Sequence, residues 1–217
     1  MTGEQARFLE AAAMGFGVEL GRDSLRRLAT FLELVVVWNR RIRLLGDRDP
    51  SVIVGKHTVD SLAPLPLMPA RGIVIDVGSG GGFPGAVIAC LRPDLELVFV
   101  ESRRRAASFL HDVLRSVPLP AARVSEQRGE EAAKDPSLRH RARVVISRAL
   151  RADIFLPIAR ELVLPDGAVI AMQTPASADS TMEVARGCGL QMDDQRRYTL
   201  PSGEARVLLV FRPAASS

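Results

Sequence analysis

The stretch VIDVGSGGGFPG, Val74 to Gly85, decides the fold, because an apolar strand runs in it straight into a glycine-rich turn. Two glycine fingerprints overlap there. From Gly80 it reads G-G-G-F-P-G, a formal match to the dinucleotide pattern G-x-G-x-x-G. From Asp76 it reads D-V-G-S-G-G-G, the acidic-then-glycine loop of enzymes that bind S-adenosylmethionine. Gly78, Gly80 and Gly82 fall at the strand-to-helix turn, where the missing Cβ lets a ligand approach the backbone. Asp76 lies inside the apolar run, where an unpartnered carboxylate is costly. It is therefore expected to bond loop amides or, through water, a ligand ammonium.

Working outward, the downstream chain alternates strands and helices. Strands are predicted at Ile73–Val77, Leu95–Val100, near Val124, at Val144–Ile146 and at Ala168–Met172. Helices are predicted at Pro84–Leu91, with Pro84 suited to the first helical position, at Arg103–Ser116 capped by Ser102, near Ile154–Leu162, and at Ala178–Arg186. Leu190–Leu200 and Arg206–Phe211 flank PSGE, a hairpin signal, and Pro213–Ser217 reads as a frayed tail. Upstream, the first seventy residues read as helices: Glu4–Met14, a second with Leu25, Leu28, Ala29, Leu32, Val35 and Val36 on one face and Asp23 or Ser24 as N-cap, and a third over Ser51–Leu62. The proline-rich APLPLMPARG marks a boundary. The expected architecture is α/β and Rossmann-like, a mostly parallel sheet closed by an antiparallel hairpin. A helical region, 1–70, precedes the ligand-binding domain, 71–217.

Glu101 ends the second strand, 19 residues after Gly82, where a carboxylate can accept both ribose hydroxyls of an adenosine. That spacing serves NAD and S-adenosylmethionine alike. Three features favour the latter. The strand contains Asp76 and ends at Val77, so the turn starts at Gly78, too early for the dinucleotide register. Glu130-Glu131, behind the third strand in QRGEEA, suits an adenine edge. The closing hairpin, without a second substrate domain, fits a small methyltransferase.

The chain resembles the RsmG (GidB) family of bacterial ribosomal RNA methyltransferases. WNRRIRLL (38–45), KHTVDSL (56–62), IDVGSGGGFPGAVIA (75–89), ESRRRAASFL (101–110), RGEE (128–131) and VISRAL (145–150) carry the resemblance, in order and over most of the chain. It implies a class I methyltransferase fold, S-adenosylmethionine as cofactor, and methylation of N7 of one guanosine in 16S ribosomal RNA of the small subunit. It also implies that Gly78, Phe83, Gly129, Glu130 and Arg148 contact the cofactor or line its pocket. Three departures stand out. Arg105 is followed by Ala106 where relatives have a basic pair. Ala171-Met172-Gln173-Thr174 replaces A-L-K-G, and WNRRIRLL lacks the usual Asn-Leu-Thr ending.

Guanine N7 carries a free lone pair, so its methylation needs positioning and exclusion of water rather than a general base. Arg148, in SRAL, is the expected positioning residue, with His57 and Asp60 beside it. The alternative for His57 is a helix-face histidine paired with Asp60 at i+3. Arginines 40, 41 and 43, 103 to 105, and 139, 141 and 143 form clusters able to hold phosphates, in keeping with a net charge of +4. Aromatic content of 5% argues against a stacking platform for single strands.

No apolar run is long enough to span a bilayer, no secretory signal is evident, and the two cysteines lack metal-like spacing. The expectation is a cytoplasmic monomer that needs neither metal nor membrane. Two other readings stay open from sequence: a nicotinamide oxidoreductase, and a non-catalytic RNA-binding protein that retains the fold.

Overall fold

The structure, a computed structural model, describes residues 1–214. Seven strands form one sheet in the order β3-β2-β1-β4-β5-β7-β6. They are β1 (Ile73–Val77), β2 (Glu96–Val100), β3 (Ala122–Ser125), β4 (Ala142–Ser147), β5 (Val163–Gln173), β6 (Leu190–Thr199) and β7 (Ala205–Pro213). β1 to β5 pair in parallel; β7 runs antiparallel to β5, and β6 to β7. The strand order reverses between β1 and β4, and in such sheets the crevice at the carboxyl ends beside that switch point receives ligands.

Alternation along the strands divides the core. Val74, Leu97, Phe99, Val144, Ile146, Ile170 and Leu208 face one side. They are covered by α1 (Gly3–Gly15), α2 (Arg22–Ile42), the turns over Pro50–Leu62, α5 (Gly85–Leu91) and α6 (Arg104–Ser116). Ile75, Val98, Val145, Val169 and Leu209 face the other, under α7 (Gly129–Ala132), α8 (Ala152–Leu162) and α9 (Ala178–Gly187). The amino-terminal helices thus share a continuous core with one sheet face: Phe31 of α2 meets Phe83 and Phe109, with centroids 5.2 and 6.4 Å apart.

Several boundaries differ from the sequence expectation. α2 begins at Arg22 with Gly21 as cap, so Asp23 lies in its first turn, where its charge suits the helix dipole, rather than at the cap. Ser102 does not cap α6; Arg103 does, without a side-chain cap bond, because Glu101 accepts the Arg103 amide at 2.8 Å. Pro84 is the cap of α5, not its first residue. The third helix is broken into α3 (Pro50–Val52), a π-turn (Ile53–Thr58) and α4 (Val59–Leu62), with Asp49 accepting from the Ser51 amide. β5 starts at Val163, not Ala168: Ala142 pairs with Val163 and Val144 with Ala168, so residues 164–167 bulge from the ladder. Gly167 is required there, since a Cβ would lie 2.9 Å from the Ala142 carbonyl oxygen. β7 continues through Pro213, paired with Leu190, and the Ala214 amide donates to the Gly189 carbonyl at 2.9 Å; residues 215–217 of the expected tail lie outside the described residues.

Candidate functional site

β1 carries Asp76 to the carboxyl edge of the sheet, and the chain turns at once. Gly78, Gly80 and Gly82 have φ of 75°, 53° and 84°, a region other residues enter at a cost. The Gly78 and Ser79 amides donate to the Val100 carbonyl at 2.8 and 3.3 Å, and Gly82 N–H closes the turn on Ser79 O at 2.8 Å. Asp76 is buried, and its Oδ2 accepts from the Gly85 amide at 3.0 Å, so it ties strand to helix start. Burial pushes its pKa up to about 7 despite that bond. Gly85 has no room for a side chain, because a Cβ would stand 2.5 Å from Asp76 Oδ2.

Glu101 follows β2 directly, beneath this loop. Its Oε2 accepts from the Gly80 amide at 2.8 Å, and its Oε1 from the Arg103 amide at 2.8 Å and Arg103 Nε at 3.3 Å. The Arg103 side chain is 63% exposed against 4% for Glu101, so the guanidinium is the partner that can be exchanged for another donor. A Cβ on Gly80 would approach Arg103 Nη2 to 3.1 Å and Glu101 Oε2 to 3.9 Å. A glycine cradle facing a buried carboxylate is a donor and acceptor set that suits the ribose and amino-acid parts of an adenosyl cofactor.

The other residues expected at the site divide by place. Gly129 opens α7 and packs closely, a Cβ there falling 2.7 Å from Ile158 Cδ1 and 3.2 Å from Val77 Cγ1. Glu130 beside it is exposed, while Glu131 accepts from the Arg128 amide at 3.0 Å. Phe83 is buried beneath the loop and turns its face to Arg148, whose guanidinium carbon lies 5.3 Å from the ring centroid.

Arg148 follows β4 and is held by Asp60 Oδ2 at 3.4 Å and the His57 carbonyl at 3.5 Å. Burial lowers its pKa, countered by Asp60. Arg148, His57 and Asp60 therefore meet, but His57 does not pair with Asp60. Its Nε2 lies 3.0 Å from Asp47 Oδ2, and burial first, then Arg148, lowers its pKa. Asp60 turns instead to Tyr198, whose hydroxyl donates to Oδ1 at 2.7 Å. Arg148, His57 and Asp60 line a cleft of about 320 Å³ with Lys56, Met172, Gln173, Thr174, Ser177 and Arg206.

Lys56, Tyr198 and Arg206 were not singled out in the sequence. Lys56 had a signal, as the residue before His57 in KHTVDSL; the other two, in an alternating hairpin, had none. Of the arginine clusters, residues 139 to 143 sit at the start of β4, at the edge of the sheet opposite the cleft, where Arg139 pairs with Glu161 at 2.7 Å and Arg143 with Asp166.

The fold and this carboxyl-edge site define a class I methyltransferase architecture. Solved structures agree on the fold. A TehB-like S-adenosylmethionine-dependent methyltransferase from Corynebacterium glutamicum aligns with a TM-score of 0.55 at 14% identity, over 71% of this chain and 86% of that one. A variant of the 16S rRNA (adenine(1408)-N(1))-methyltransferase from Catenulisporales acidiphilia gives 0.53 at 15% identity, over 66% and 85%. At the sequence level, the model of the GidB family, described as rRNA small subunit methyltransferase G, matches residues 24–208. A ribosomal RNA small subunit methyltransferase G from Anaeromyxobacter sp. (strain Fw109-5) is 35% identical over 88% of this chain and 89% of its own length. One from Halorhodospira halophila is 31% identical over 96% and 97%. The chain belongs to the GidB family. Among the described residues no helix is long and apolar enough to cross a membrane.

Proposed function

We infer that this protein transfers a methyl group from S-adenosylmethionine to N7 of a guanosine in 16S ribosomal RNA of the small subunit. In this reading residues 1–70 are a helical region and 71–217 the methyltransferase domain. The observation that carries it is the adjacency of two features on neighbouring strands, within a chain of this family. The glycine cradle follows β1, and the Arg148 cleft opens at the ends of β4 and β5.

S-Adenosylmethionine, when bound, supplies an electrophilic sulfonium methyl. Gly78, Gly80 and Gly82 would give it backbone access, Glu101 would accept from the ribose hydroxyls in place of Arg103, and Phe83, Gly129 and Glu130 would complete the pocket. Asp76 fixes the loop on which the cofactor lies. Because N7 offers a free lone pair, no residue has to remove a proton, and the work of the cleft is to hold the purine and exclude water. Arg148 has donors for the guanine edge and is preset by Phe83 and Asp60. The methylated purine is cationic, and the buried Asp60 carboxylate offsets the field of Arg148 beside it. His57, neutral and bonded to Asp47, braces the Arg148 side of the cleft through its carbonyl.

Tritiated S-adenosylmethionine with small subunits from cells lacking the gene should place label in 7-methylguanosine. Label in another nucleoside, or in none, would refute the reading.

A further inference from the structure

At the rim of the cleft Glu204 bridges two cations. Its Oε1 lies 3.0 Å from Lys56 Nζ and its Oε2 3.0 Å from Arg206 Nη2. Two oxygens shared between two cations is also the arrangement that the non-bridging oxygens of a phosphodiester offer. The three partners are not equally fixed. Lys56 and Arg206 are 28% and 19% exposed, while Glu204 is 40% exposed at the hairpin end, with Ser202 as its further partner at 3.5 Å. Arg206 is steadied from below by Asp60, 4.0 Å from its Nε. Asp60 itself is fixed by Tyr198. If the Glu204 carboxylate swings out, both cations remain at the mouth of a cleft whose floor carries a third, Arg148. A volume of about 320 Å³ lies at the lower end of the range for small-ligand pockets, enough for a flipped purine with its backbone at the rim.

We propose that Lys56 and Arg206 form the seat for an RNA backbone phosphate adjacent to the target guanosine, and that Glu204 occupies this seat in the free protein. The proposal rests on the RNA-methylating reading above. Seating exchanges one anion for another: Glu204 leaves, the phosphate oxygens take its place, and no bond is made or broken. The residue thus sets a threshold. A lone small anion competes poorly with a tethered carboxylate, whereas a phosphate delivered by docked RNA brings the binding of the rest of the RNA with it.

The signs of three substitutions separate this arrangement from an ordinary surface ion pair. The probe is small subunits lacking the methyl mark, with affinity read by filter retention without cofactor over a salt series, and S-adenosylmethionine affinity by equilibrium dialysis. Lys56→Gln and Arg206→Gln should each weaken subunit binding by about fivefold and reduce the slope of log K against log salt by about one. Cofactor affinity should move by less than about twofold in either. Glu204→Gln should act the other way and tighten subunit binding by about threefold, as a competing anion is removed. Thermal denaturation identifies any variant that has lost its fold; Lys56→Gln and Glu204→Gln suffice if Arg206→Gln does so. An unchanged salt slope in Lys56→Gln, or weaker binding in Glu204→Gln, overturns the seat. Failure of the wild-type protein to label 7-methylguanosine overturns the function reading, which is measured separately.

Discussion

Tyr198, on the closing hairpin, donates its hydroxyl hydrogen to Asp60 of the amino-terminal helical layer at 2.7 Å, across 138 residues of sequence. The same ring meets Phe16, just past α1, edge to face at 5.6 Å. Asp60 is thereby fixed where it can hold Arg148 over Phe83, and the candidate purine cleft depends on a contact between the two ends of the fold.

The first prediction concerns that pairing. Asp60→Asn leaves the Arg148 guanidinium buried with no full counter-charge and should cost about 3 kcal/mol in urea denaturation. Adding Arg148→Gln should cost less than the sum of the single changes, because the orphaned charge is gone. Strict additivity would show that the two side chains do not interact.

The second concerns the cradle. Gly80→Ala places a methyl group at φ 53°, 3.1 Å from Arg103 Nη2. Arg103 is a flexible tip and can move, so stability should fall by only about 1 kcal/mol. S-Adenosylmethionine affinity in calorimetric titration should fall by at least about tenfold, since the methyl occupies the approach to the loop. Unaltered affinity would remove Gly80 from the cofactor site.

Gly85→Ala is expected to do the reverse, harming the fold first. Its Cβ would stand 2.5 Å from Asp76 Oδ2 and 2.8 Å from Phe99 Cε1, both on packed strands that cannot retreat. A loss of about 3 kcal/mol is expected from overpacking. A midpoint of denaturation equal to wild type would contradict it.

Asp76 gives a pH signature. Its pKa is about 7 in the fold, well above an ordinary carboxyl, so the folded protein binds more protons than the unfolded chain between about pH 4 and 7. Stability from this group is therefore present at low pH and lost as pH rises through about 7. Asp76→Asn has no such titration. The stability of wild type relative to this variant should fall across that window, by up to about 4 kcal/mol. A flat difference in denaturation midpoints from pH 4 to 8 would place the titration elsewhere.

Much of this was legible in the chain. The apolar run before Gly78 and the position of Asp76 within it set the strand register, and that register chose the ligand class. The carboxylate at Glu101 followed from the next strand. What escaped was whatever depends on distant partners. Periodicity reports which face of an element is buried, not which side chain of another element meets it. Hence the i+3 spacing of a regular helix offers Asp60 as the alternative partner of His57, whereas a π-turn over Ile53–Thr58 shifts the register and His57 meets Asp47 instead. Pro165, Asp166 and Gly167 are turn-forming residues, so the expected strand starts only at Ala168, whereas β5 begins at Val163 and absorbs them as a bulge. Lys56 and Glu204 are 148 positions apart, so neither could announce the other.

The sheet order has a consequence for how the protein comes into being. β7 is inserted between β5 and β6, so the strand carrying Arg206 reaches the cleft only when nearly the whole chain is available. A chain still being synthesised that ends before β6 has neither Tyr198 to fix Asp60 nor Arg206 to complete the rim. Because β7 also supplies Leu208 and Leu209 to the two core layers, the acceptor cleft is completed only together with the sheet, and incomplete copies would be silent rather than indiscriminate.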